Sequence, residues 1–306
     1  MNKKRVVTGI FIAIVYVAVL LLSVYVHPIF FDLFIILLAL GGVYEMNKAI
    51  SKAYSPPIFV INLVEVWLSF AAFWFAQYYF KTRSAGIIAY FIALAVMVVV
   101  TLIVTGCSKK YVKGNAVSTI GIMLYPCALL MLCMDINYYM MNGSVGIEYS
   151  LPHRNIGIML MFLVPALTDV FAYQVGSAIK GKKLCPSISP NKTISGAVGG
   201  LFGGLFGAGS VLLLIYLASR FGVNLFGLQM LTSGWTGTIV NLLMLGLFGS
   251  VFDQIGDLVA SFIKRRVGIK DFSNLLPGHG GVLDRVDGFI LCGVFYYMYF
   301  AIMILI

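Results

Sequence analysis

The side chains in this 306-residue sequence whose types and spacing could do chemistry are mostly carboxylates. Asp253 and Asp257 stand four apart in "FDQIGDLVASFIKRR", with Ser261 and Lys264 on much the same helical face. Two acids, a hydroxyl and a cation thus form a polar stripe on an otherwise apolar rod. Like charges at that spacing repel, so something positive should sit beside them. Asp284 and Asp287, three apart in "GGVLDRVDGF", form a second pair where a helix would begin. One Asp there would serve as a cap against the helix macrodipole; two exceed that need. Oxygen ligands on two separate elements, in a chain with 3 histidines and no Cys/His ligand spacing, suit Mg²⁺ better than zinc. Magnesium keeps few protein carboxylates and completes its shell with water and substrate phosphates, so the carboxylates point to a phosphate-bearing substrate.

The neighbouring residues agree. Lys264, Arg265, Lys270 and Arg285 can neutralise phosphate oxygens, the glycines of "PGHGG" let backbone N–H groups approach an anion, and His279 can bond a phosphate or move a proton. A second basic stretch, "KGKKLCPSISPNKT", combines Lys180, Lys182, Lys183 and Lys192 with Ser189 and Thr193, the makings of a phosphate-facing loop. Asp169, in "ALTDVFAYQVG", lies inside an apolar segment, where an ionisable residue is by default a pointer to function.

The elements that must position these groups are membrane helices. The chain is 61% hydrophobic and 10% charged, which excludes a soluble domain. A span needs about 20 apolar residues. Nine candidates run approximately over 6–26, 29–44, 58–80, 85–105, 116–139, 156–179, 194–221, 228–263 and 286–306. The basic "MNKKR" start is read as preceding a retained first span, since no small-residue cleavage site follows. With a cytoplasmic N-terminus, all of the 21 Lys and Arg except Lys81, Arg83, Arg154 and Arg220 fall on the cytoplasmic side. The expectation is therefore an all-α integral membrane protein of about nine spans with an external C-terminus. Residues 1–140 would supply five N-terminal spans, and 155–306 a catalytic region with cytoplasmic loops 180–193 and 264–285. The net charge of +10 is then orientation charge facing anionic lipid, with no nucleic acid as partner. The five cysteines read as packing residues, and the small residues Gly196, Gly200, Gly204 and Ala208 as one close-packing helical stripe. Asp32 and Glu65 read as structural.

"SFIKRRVGIKDFSNLLPGHGGVLDRVD", residues 261–287, resembles the signature of the phosphatidate cytidylyltransferase (CDP-diacylglycerol synthase) family, and "DVFAYQVGSAIKGKKLCPSISPNKT" resembles an upstream segment of it. Asn191 and Ser195 depart from that pattern, which often has Lys and an acidic residue there. The resemblance covers about 155–306. It implies a cell-membrane enzyme that makes CDP-diacylglycerol and pyrophosphate from CTP and phosphatidate at the cytoplasmic face. It further implies a homodimer and dependence on Mg²⁺, with room for a second, monovalent cation. By residue, it implies a metal held by Asp257 and Asp284 with Asp287 close by. Lys264, Arg265 and His279 would join them in catalysis, and Asp169, Ser189, Lys192, Thr193, Ser261, Lys270 and Arg285 would line the substrates. The rivals are a CTP-dependent enzyme of another lipid, such as a polyprenol kinase or an ether-lipid cytidylyltransferase, and a cation transporter using Asp169, Asp257 and Asp284.

Overall fold

A helix satisfies its own backbone hydrogen bonds, so apolar runs destined for a membrane fold as helices. The computed structural model describes residues 3–80, 84–139, 151–222, 226–232, 234–278 and 280–303. Its helices are α1 (Lys3–Tyr25), α2 (Ile29–Ile50), α3 (Phe59–Phe80), α4 (Ala85–Cys107), α5 (Lys113–Ile122), α6 (Leu129–Tyr139), α7 (Leu151–Ile179), α8 (Ile194–Phe221), α9 (Trp235–Arg266) and α10 (Leu283–Met303). A π-helical turn, Met123–Ala128, joins α5 to α6 into one stretch. Among the described residues, nine helical stretches are then long and apolar enough to cross a bilayer, the number expected from sequence.

Three boundaries differ from expectation, each with a consequence for the polar loops. The second span was expected to stop at Tyr44, before a carboxylate; α2 instead runs on to Ile50 and buries Glu45 completely. The eighth starts at Trp235 rather than Leu228. The last starts at Leu283 rather than Val286, which brings Asp284 into its first turn. The basic loop after α7 is also more ordered than a loop: β1 (Lys183–Cys185) and β2 (Ser189–Thr193) pair antiparallel. Lys180 at φ 60° and Gly181 at φ 98° turn the chain out of α7 into this hairpin. Thr193 closes it and caps α8, accepting a hydrogen bond from Gly196 N at 3.0 Å.

Small residues set the packing. The stripe expected on α8 is two rows. Gly199, Gly203 and Gly207 lie against α7, where a side chain would meet Val175, the Leu167 carbonyl or Val164. Gly204 and Ala208 lie against Gly246 and Ser250 of α9. Where hydrocarbon surrounds the helices, such close backbone contact is the main source of association. α9 and α10 cross just as tightly. A side chain at Gly256 would strike the Asp287 carbonyl, and one at Gly288 would strike the Asp253 carboxylate. The crossing forces the two Asp pairs together. Elsewhere buried polar groups tie helices: Asp32 of α2 accepts from Trp74 Nε1 at 3.1 Å, from Asn137 Nδ2 at 2.8 Å and from the Tyr138 hydroxyl. All five cysteines are free, with Cys127, Cys133 and Cys292 buried as packing residues.

Candidate active site

At the end of the bundle where α9 stops and α10 begins, charges of both signs form a continuous row. Lys192 of β2 pairs with Asp257 of α9. The Asp287 carboxyl of α10 lies close enough to feel the charge of Asp257. Lys264 Nζ lies 3.8 Å from Asp287 Oδ2 and 2.8 Å from Asp284 Oδ1. Asp253, buried against Gly288, and Asp169 of α7 are near enough for their charges to be felt by the row. Neighbouring carboxyl groups that feel each other's charge favour a proton or a cation near them, and this row holds more acids than bases. That excess is what fits a divalent ion. No group of three His, Cys, Asp or Glu side chains among the described residues forms a complete metal cage.

The loop between α9 and α10 is built around two carboxylates. Asp284 Oδ2 accepts from Phe272 N and Gly281 N, both at 2.9 Å, while its Oδ1 takes Lys264. Glu45, from α2, accepts from Val282 N at 2.8 Å and Leu283 N at 2.9 Å, and from the Ser273 hydroxyl. It thereby supplies two of the donors at the α10 N-terminus with an acceptor, where the helix macrodipole also favours negative charge. The glycines of the loop have separate tasks. Gly280 turns the chain at φ 83°, and a side chain at Gly281 would occupy the place of the Glu45 carboxylate. Beside the row, a cavity of about 420 Å³ is lined by Asp169, Gly176, Lys192, Thr193, Gln254 and Asp257 among others.

The cytidylyltransferase family matches residues 3–303. The chain belongs to this family. Phosphatidate cytidylyltransferase of Bacillus subtilis (strain 168) is 31% identical over 303 residues, 98% of each chain. The enzyme of that name from Brucella abortus biovar 1 is 36% identical over 215 residues, covering 66% of this chain and 72% of the relative. The one from Staphylococcus haemolyticus is 36% identical over 162 residues, 51% of this chain and 55% of the relative.

Against this cytidylyltransferase background, the residues picked out from sequence separate into groups. Lys192, Asp257, Asp287, Lys264 and Asp284 form the row, and Asp169 and Thr193 join Lys192 and Asp257 at the cavity. Ser261 is half-buried one turn beyond Asp257. Arg265 is exposed and directed to carbonyls, with Nε 3.3 Å from Ile188 O and Nη1 3.1 Å from Ile269 O, so it ties the hairpin turn to the α9 end. Ser189 sits in β2 opposite Cys185 and is not part of the cavity wall. Lys270 and Arg285 are exposed, the latter close enough for Asp169 to feel its charge. His279 lies outside the described residues. Of the two positions that depart from the family pattern, Asn191 lines the cavity and Ser195 bonds the Lys180 carbonyl.

Glu45 was not among the sequence candidates, and Asp253 was seen only as part of the stripe. A carboxylate at the end of an apolar run was the available signal for the first. The glycine next to each acid, Gly256 before Asp257 and Gly288 after Asp287, was the signal for the crossing.

Proposed function

We propose that this cytidylyltransferase couples CTP to phosphatidate, yielding CDP-diacylglycerol and pyrophosphate. The observation that carries the reading is the acid-rich row, alternating with lysines, beside a cavity at one end of an apolar bundle. A phosphate oxygen of phosphatidate attacks the α-phosphorus of CTP, the bond between the α- and β-phosphates breaks, and pyrophosphate leaves. Both reactants are polyanions, so the first task of the protein is to offset their repulsion. Lys192, open to the cavity, can exchange Asp257 for a phosphate oxygen. Lys264 is held by Asp284 and Asp287 and presents fixed positive charge from the other side. A phosphate monoester is already nucleophilic near neutral pH, so the chain needs to orient it rather than deprotonate it with a strong base.

The row fits Mg²⁺. Asp257 and Asp284 would hold it, with Asp287 close by. When bound, the ion would neutralise and align phosphate oxygens for in-line displacement. The charge bias of the loops supports a site at the cytoplasmic face, where CTP is available while the lipid approaches from within the bilayer. We also propose the two-part division at about residues 140–155 and a homodimer, both on the resemblance. Purified protein in detergent micelles should release pyrophosphate only when CTP, phosphatidate and Mg²⁺ are all supplied. Release without phosphatidate, or none in a folded preparation, would overturn the assignment.

A further inference from the structure

The N-terminal spans reach the loop between α9 and α10 at two places. Glu45 of α2 holds its base, at Ser273, Val282 and Leu283. The tip is met by α1: the Thr8 hydroxyl donates to the Pro277 carbonyl at 2.9 Å, across 269 positions of sequence. Thr101 and Thr105 of α4 turn their hydroxyls back onto carbonyls of their own helix, a common arrangement for threonine inside a helix. A bond that leaves the helix for a distant loop has another consequence, since it fixes the loop relative to the helix. The tip is a narrow turn with need of such a hold. Pro277 and Gly278 are exposed, Gly278 and Gly280 stand at φ 78° and 83°, and Leu276 N donates to Gly280 O at 2.9 Å to close the turn. The next N–H along the chain, that of Gly281, is one of the two that Asp284 Oδ2 accepts, at 2.9 Å. Pro277 is thus linked through one backbone bridge to a donor that orients Asp284.

For Thr8 to hold the tip in place, α1 must itself be held. Its outer face is bare, with Val7, Ile10, Phe11, Ile14 and Val17 exposed. Its inner face has a fixed point at Tyr16, whose ring stacks on Phe162 of α7 with centroids 4.6 Å apart; Phe162 stacks in turn on Phe289 of α10 at 5.6 Å. Phe289 follows Asp287 by two positions. The aromatic stack therefore ties α1 to the helix that carries Asp284 and Asp287. Thr8, eight residues and about 12 Å nearer the helix start, ties it to the loop tip. We propose that α1 braces this loop against α10, with Thr8 as a positioning residue that acts on turnover through the Gly280 and Gly281 backbone and Asp284. The inference rests on the proposed reaction for its effect on rate and on the hydrogen bond alone for its effect on the loop.

Thr8→Val removes the hydroxyl and keeps the side-chain volume. In detergent micelles, hydrogen exchange of residues 273–281, followed by mass spectrometry, should run roughly threefold to tenfold faster in Thr8→Val than in the wild type, the scale of one net hydrogen bond. Thr8→Ser, which keeps the donor, should restore the wild-type rate. In Thr8→Val, kcat for pyrophosphate release should fall by a similar factor while KM for CTP changes less than about twofold, and Thr8→Ser should recover kcat. Thr105→Val, which loses a hydroxyl bonded within α4, is the control: neither loop exchange nor kcat should move by more than about twofold. Wild-type loop exchange in Thr8→Val, or a loss that Thr8→Ser does not recover, would overturn the brace. Faster exchange with an unchanged kcat would overturn the positioning role. Faster exchange in a protein whose wild type releases no pyrophosphate would support the brace and overturn the reaction.

Discussion

Two lysine–aspartate pairs bracket the site, and their surroundings give them different work. The Lys192–Asp257 side chains are 28% and 27% exposed and open on the cavity. The Lys264–Asp284 side chains are 11% and 3% exposed, and the Asp284 carboxylate also holds two backbone N–H groups of the loop. An open pair contributes on the order of 0–1 kcal/mol and exchanges readily with water or phosphate. Breaking a buried pair by removing one charge costs about 3–5 kcal/mol, because the other charge stays buried. The same two residue types therefore serve as a group free to change partners during reaction and as a fastening for the loop that carries the signature.

Substitutions can break this contrast. Asp284→Asn should give the largest effect: turnover lower by roughly 10³-fold together with stability lower by about 3 kcal/mol, read from pyrophosphate release and thermal melting in detergent. Asp257→Asn should lower turnover by a similar factor, roughly 10³-fold, but shift stability by no more than about 1 kcal/mol. Equal melting losses in both variants would erase the distinction. Glu45→Gln sharpens it from a third side. Exchanging a charged acceptor for an amide weakens hydrogen bonds that hold the α10 N-terminus, each worth about 1.5–3 kcal/mol when charged. Its kcat should fall roughly tenfold or more, on the scale of one such bond, while KM for CTP moves little in steady-state kinetics. Lys109→Ala, just beyond the end of α4, should change turnover less than about twofold, as expected of an exposed side chain outside the site.

The membrane helices were legible because length and apolar composition are nearly sufficient conditions for them in a bilayer. The acids and Lys192 were legible because charged groups are rare in this chain and fall at helical spacing. Glu45 was not, because its bonds reach across 237 positions to Val282 and no local periodicity announces such a contact. The span expected to end at Tyr44 continues through Glu45, because a buried acid can stay within a helix when another helix offers it N–H donors. The second glycine row of α8 was hidden by the first, since a run with glycine at nearly every third and fourth position satisfies two helical faces at once. Arg265 and Ser189 show the converse limit. Each sits beside reactive neighbours in sequence, yet the hairpin directs one to backbone carbonyls and the other into a strand.

The most direct test of the central claim follows the phosphorus atoms of CTP. Purified protein is given phosphatidate and Mg²⁺ with CTP radiolabelled at either the α- or the γ-phosphorus, and the lipid phase is counted. Transfer of the cytidylyl group predicts label in the lipid from the α-position only, with γ-label appearing in pyrophosphate. Label in the lipid from the γ-position would identify a kinase and contradict the account.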